Sequence, residues 1–179
     1  MPKTDNPHSI RLYDSLVKHA DEATAQRIAH KIPLSKSADA DKKFAWAQSI
    51  CADLEKEMDE EAIKSIRMDC ACGPDEGKIS SLKKLFKSCP DMGEIAEKAT
   101  GLKQGYEMKF EDQSLYLIYP QCYCSCVKRI QQPLSKTWCY CTLGYTKKMF
   151  EGILDRPVTV ELLDSVKLGG EKCIIRIIY

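Results

Sequence analysis

The stretch Tyr106-Glu107-Met108-Lys109-Phe110-Glu111-Asp112-Gln113-Ser114-Leu115-Tyr116-Leu117-Ile118-Tyr119 decides the fold class. Tyr106, Met108 and Phe110 alternate with polar residues, a polar turn follows, and a short apolar run closes the segment. Period-2 alternation, turn and apolar run predict a β-hairpin. Everything before it has helical spacing. Tyr13, Leu16, Val17 and Ala20 mark one helix, which fades before Pro33. Ala47, Ile50, Cys51, Leu54, Met58, Ala62, Ile63 and Ile66 form one long apolar stripe, with Glu55, Glu57, Asp59, Glu60 and Glu61 as a solvated face. That helix is expected to stop near Cys70-Ala71-Cys72-Gly73-Pro74. Two shorter helices are expected over 79–86 and 92–99.

Beyond the hairpin, a helix is expected over 138–152. A second hairpin, 158–163 and 173–179, is then expected across Gly169-Gly170. The reading is an α+β fold: an N-terminal helical layer over 1–104, followed by a β-β-α-β-β antiparallel-sheet domain over 105–179.

Charge is balanced, with 27 basic and 26 acidic residues among 179. No basic face or tail points to nucleic acid or an anionic membrane. No segment approaches the ~18 apolar residues of a bilayer span. The start, Met1-Pro2-Lys3-Thr4-Asp5-Asn6-Pro7, has no apolar run and is not expected to be a signal peptide. A cytoplasmic location is therefore expected.

In a reducing compartment, ten cysteines bunched as C-x-C read as metal binding or thiol chemistry. The strongest cluster is Cys122-Tyr123-Cys124-Ser125-Cys126 with Cys139-Tyr140-Cys141. A tetrahedral zinc with Zn–S near 2.3 Å places sulfurs about 3.8 Å apart. Residues two apart on a strand lie about 6.6 Å apart and point the same way, so neighbours in C-x-C can converge. The outer pair, Cys122 and Cys126, cannot unless the segment bends after Pro120. On a helix, Cys139 and Cys141 point apart, so only one would face an ion. An iron–sulfur cluster suits the same thiolates. Cys70 and Cys72 could complete the site, form a second one or supply a reactive thiol. Cys51 and Cys89 read as small buried hydrophobes. His8, His19 and His30, spaced by eleven, read as surface residues too far apart to share an ion.

The last forty or so residues resemble the 4-vinyl-reductase domain family, small α+β domains that bind small hydrophobic molecules, some as sensors in transcription regulators. The resemblance rests on Cys139 five residues before Gly144-Tyr145, Gly169 four before Cys173, and the apolar strand 174–178. It implies that Cys139 and Cys173 are zinc ligands. Ser165 stands where the pattern has a third cysteine, and Glu161 sits one residue off the acid position. Two of Cys122, Cys124 and Cys126 would then complete the set. Glu161 also falls opposite Arg176, where a cross-strand charge pair is the alternative. A group of clostridial-type proteins sharing the whole C-x-C pattern is a closer match, with no activity attached to it.

The functional expectation is a zinc-bearing protein that binds or senses a small hydrophobic molecule, with Tyr106, Tyr116, Tyr119, Trp138 and Phe150 as candidate lining residues. The alternatives are a metal- or thiol-dependent enzyme with a partly open cysteine site, and a structural zinc module for protein interaction.

Overall fold

The computed structural model describes residues 4–102 and 104–179. The expectation for Met1, Pro2 and Lys3 lies outside the described residues. Helices come first, α1 (Pro7–His19), α2 (Glu22–Ala29), α3 (Ala40–Glu57), α4 (Glu60–Asp69), α5 (Glu76–Ser88) and α6 (Met92–Gly101). Strands β1 (Glu107–Glu111) and β2 (Ser114–Tyr119), helix α7 (Lys136–Leu154), and strands β3 (Thr159–Asp164) and β4 (Cys173–Ile178) follow. The α+β expectation holds.

Two long helices expected from the sequence are each divided in two. The first breaks at Ala20, where Asp21 caps α2 by accepting the Thr24 N–H. The second breaks at the extended Met58, and Asp59 caps α4 by accepting the Ala62 N–H. The apolar stripe runs in phase across this second break, so periodicity hides it. The cap was concealed in the acidic run, where Asp59 followed by Glu60 and Glu61 is a helix-start signal.

The chain forms two compact units, Met1–Ala71 with Tyr123–Gly144, and Cys72–Cys122 with Tyr145–Tyr179. This division does not follow residue 104. In the first unit α1 to α4 bury Leu12, Leu16, Ile28, Trp46, Ile50, Leu54 and Ile66. Trp138, from the first turns of α7, meets Trp46 edge to face at 5.6 Å.

The second unit holds one antiparallel sheet in the order β1-β2-β4-β3. Leu115 pairs with Ile177 and Leu117 with Ile175, and all four are fully buried on one face. The opposite face carries Tyr116 beside Arg176, and Arg176 beside Glu161. The Arg176–Glu161 ion pair spans 3.5 Å, so the cross-strand alternative for Glu161 is the one the fold adopts. The β1–β2 turn holds Asp112 and Gln113 at φ 47° and 54°, the left-handed geometry of a tight hairpin. Thr100 of α6 brackets β1, its hydroxyl donating to the Met108 carbonyl and accepting from the Met108 N–H.

Candidate thiol centre

The chemistry-bearing cluster of the first unit is organised by Arg67. This residue lies in the last turn of α4, on the side that also buries Ile63 and Ile66, and is only 3 % exposed. A buried guanidinium must find acceptors, because isolated charge is costly away from water. Arg67 donates from Nε to the Thr137 carbonyl at 3.3 Å and from Nη2 to the Trp138 carbonyl at 3.1 Å. Its Nη1 reaches the Cys70 sulfur at 3.1 Å. The guanidinium also lies 4.3 Å from the centre of the Trp138 ring, a cation–π contact. Burial disfavours its charge, but the thiols of Cys70, Cys141, Cys51 and Cys124 hold it firmly protonated.

The chain does bend after Pro120. The Val127 and Lys128 N–H groups both donate to the Cys124 carbonyl, at 3.1 and 2.9 Å, folding 124–128 into a turn. Within this turn Cys126 is buried to 2 % exposure, whereas Cys124 is half-buried. The Trp138 indole N–H donates to the Cys124 sulfur at 3.4 Å. Cys124 is held well below the ordinary thiol range, first by the Cys126 hydrogen bond and then, against the opposing effect of burial, by Trp138, the Cys126 N–H and Arg67. Cys126 is pushed up by the same hydrogen bond and by burial. Burial also raises Cys141, and raises Cys51 to about 12.

His8 is tied to this turn. Its Nε2 lies 3.0 Å from the Ser125 hydroxyl, and its Nδ1 lies 3.1 Å from Arg11 Nη2. Burial, then Arg11, Arg67 and Lys43, lower its pKa to about 4, so it is neutral at physiological pH. His8, read from the sequence as a surface residue, is part-exposed but hydrogen-bonded, and His19 pairs with Asp69 at 3.2 Å and is part-exposed.

The zinc and iron–sulfur expectations are corrected. Among the described residues no group of three or more His, Cys, Asp or Glu side chains is placed to hold a metal ion. Cys124, Cys126 and Cys139 fall in the first unit, whereas Cys122 and Cys173 fall in the second. The thiol of Cys141, expected to point away, belongs to the Arg67 cluster with Cys70 and Cys124, while Cys139 lies near Cys51. Cys72 is exposed and belongs to the second unit. Cys173 sits beside the buried Ser165, its sulfur 3.8 Å from the hydroxyl.

Of the aromatic candidates, Trp138 and Phe150 are core, Phe150 meeting Phe86 edge to face at 6.3 Å. Tyr116 lies on the Arg176 face of the sheet. Tyr106 and Tyr119 meet edge to face at 5.8 Å, and Lys78 sits 4.7 Å above the Tyr106 ring. Tyr106 lines an open pocket of about 360 Å³ with Gly105, Glu107, Ile118, Pro120 and Lys172. Sequence reasoning missed Arg67 as an organising residue, although a charged side chain adjoining Ile63 and Ile66 is a readable signal.

A family model described as a family of unknown function, DUF6144, matches residues 4–179. The chain belongs to this family. No curated protein sequence matches the DUF6144 chain significantly. Among solved structures, it is similar to H-NOX proteins from Shewanella oneidensis. One is a histidine-to-glycine variant in the Fe(II)CO state, at 11 % identity and TM-score 0.47 over 97 % of each chain. Another is in the Fe(II)NO state, at 12 % identity and TM-score 0.45 over 96 % of this chain and 97 % of that one. No described helix of the DUF6144 chain is long and apolar enough to cross a membrane.

Proposed function

We propose that the chain responds to a small thiol-reactive molecule, with Cys124 as the reacting nucleophile. The observation that supports this best is a buried guanidinium whose side-chain partners are thiols and an aromatic ring. Such a cation stabilises thiolate over thiol, and the thiolate is the nucleophile. Cys126 and Trp138 add hydrogen bonds to the same sulfur. Together they hold a reactive anion ready at neutral pH. Limiting iodoacetamide at neutral pH, followed by peptide mapping, tests the reading. Cys124 is expected to be labelled first, ahead of the more exposed Cys72. Preferential labelling of Cys72, with Cys124 untouched, would sink it.

A second reading, binding of a small apolar molecule in the second unit, is supported by the pocket beside Tyr106. Its volume falls in the range of small-molecule sites, roughly 300–1,000 Å³. A screen of aromatic compounds by thermal shift is expected to find one whose stabilisation is lost in Tyr106→Ala. Compounds that stabilise both proteins equally would place binding elsewhere.

A further inference from the structure

We infer that His8 is a positioning residue for Cys124: through the Ser125 hydroxyl it fixes the turn that carries the reacting sulfur. This rests on the reading of Cys124 as the reactive nucleophile, and it names what holds that nucleophile in place.

The proton positions on the His8 ring follow from its neighbours. An arginine side chain has only donors and stays protonated. Arg11 Nη2 lies 3.1 Å from His8 Nδ1, so Nδ1 is the accepting nitrogen. The neutral ring then carries its proton on Nε2, 3.0 Å from the Ser125 hydroxyl oxygen, and donates to it. Burial, followed by the charges of Arg11 on the same helix, Arg67 on α4 and Lys43 on α3, keeps the ring neutral down to about pH 4. This tautomer also excludes a nucleophilic Ser125. A base must take up the hydroxyl proton, and Nε2 already holds a proton of its own.

Cys124 is thereby held from two directions. On one side Arg67 donates to the Trp138 carbonyl at 3.1 Å, and the Trp138 indole N–H donates to the Cys124 sulfur at 3.4 Å. On the other side Arg11 anchors itself by donating from Nε to the Cys70 carbonyl at 3.3 Å. It then orients His8, and His8 grips the residue next to Cys124. The two routes meet at Cys70, whose sulfur accepts from Arg67 Nη1 at 3.1 Å. Every residue of this circuit belongs to the first unit. Ser125 is exposed, so its flank of the turn is held by the His8 hydrogen bond rather than by packing. A turn freed at Ser125 lets the Cys124 sulfur drift from the Trp138 N–H and from the Arg67 charge, which favour its thiolate.

The experiment uses the full chain and measures the rate of Cys124 labelling by iodoacetamide against pH, with Cys72 as the internal control. His8→Phe and Ser125→Ala are each expected to move the Cys124 midpoint upward by about half to one pH unit, the size of one hydrogen bond. The double variant should move it no further than either single one, because both remove the same contact. His8→Gln, which offers a neutral amide donor to Ser125 and an acceptor to Arg11, should keep the wild-type midpoint. The Cys72 profile should not change in any of them. Nitrogen-15 shifts of the His8 ring should place its proton on Nε2 at neutral pH. A proton on Nδ1, additive shifts in the double variant, or an equal shift at Cys72 would overturn the inference. If the wild-type midpoint is near 6 and Ser125→Ala leaves it there, the inference fails and the thiol reading survives. If the wild-type midpoint is already the ordinary thiol value of about 8.5, or Cys124 is not labelled, both fail. Ser125→Ala, an exposed change, decides the matter even if His8→Phe does not fold.

Discussion

Arg67→Met is expected to lower the stability of the first unit by about 3–5 kcal/mol, the range for removing one partner from a buried charged arrangement. Methionine fills a similar volume but donates nothing. The Thr137 and Trp138 carbonyls and the Cys70 sulfur would each lose a donor, and Trp138 would lose its cation. Each buried acceptor left alone costs about 1–3 kcal/mol. Chemical denaturation followed by tryptophan fluorescence measures the loss, since Trp46 and Trp138 both report on this unit. Arg67→Lys should recover only part of it, because one ammonium cannot serve three divergent acceptors and stack on a ring. A change below about 1 kcal/mol in Arg67→Met would mean that these contacts contribute little net stability.

Gly144→Ala is expected to be at least as damaging. Alanine ordinarily stabilises a helix interior by about 1 kcal/mol over glycine. Here the added Cβ would fall within van der Waals overlap of the Met68 carbonyl, a backbone atom with little freedom to yield. Helices α4 and α7 approach so closely at this point that only hydrogen fits. The expected outcome is loss of several kcal/mol, or insoluble protein, read as a Tm lower by roughly 10 °C or more at the 2–4 °C per kcal/mol of chains this size. Gly101→Ala is the control. It has open space around its Cβ position and should leave Tm within about 2 °C, since surface changes away from special features cost little. Equal behaviour of the two variants would show that α7 can shift away from α4 without penalty.

These two sites mark what a sequence can and cannot disclose. The fold class was legible because helical period gives way to period-2 alternation at Tyr106, and both hairpins lie where the turn residues place them. The Glu161–Arg176 pair was legible too, since counting from the turn gives strand register. The breaks at Ala20 and Met58 were not, because an apolar stripe that stays in phase across a cap looks continuous. Gly144 stood out only as part of a motif, and its physical reason, backbone contact with Met68, depends on a tertiary approach. The metal expectation failed for a related reason. C-x-C spacing says which neighbouring thiols can converge, but not which distant cysteines join them. Cys173 lies on a strand of the second unit, while Cys139 and the 124–126 turn belong to the first. Spacing likewise could not reveal that the charge facing these thiols is Arg67, fifty-seven residues before Cys124 in the chain.

The central claim is that Cys126, Trp138 and Arg67 together lower the Cys124 pKa, and thiolate ultraviolet absorbance against pH tests this most directly. The folded state lowers the Cys124 pKa, so the thiolate is present above that pKa and is lost as pH falls through it. Subtracting the Cys124→Ser curve from the wild-type curve is expected to leave a single step near pH 6. In Cys126→Ala that step should move upward toward the ordinary thiol value of about 8.5. A wild-type step already at about 8.5, or one that Cys126→Ala leaves in place, would contradict the account.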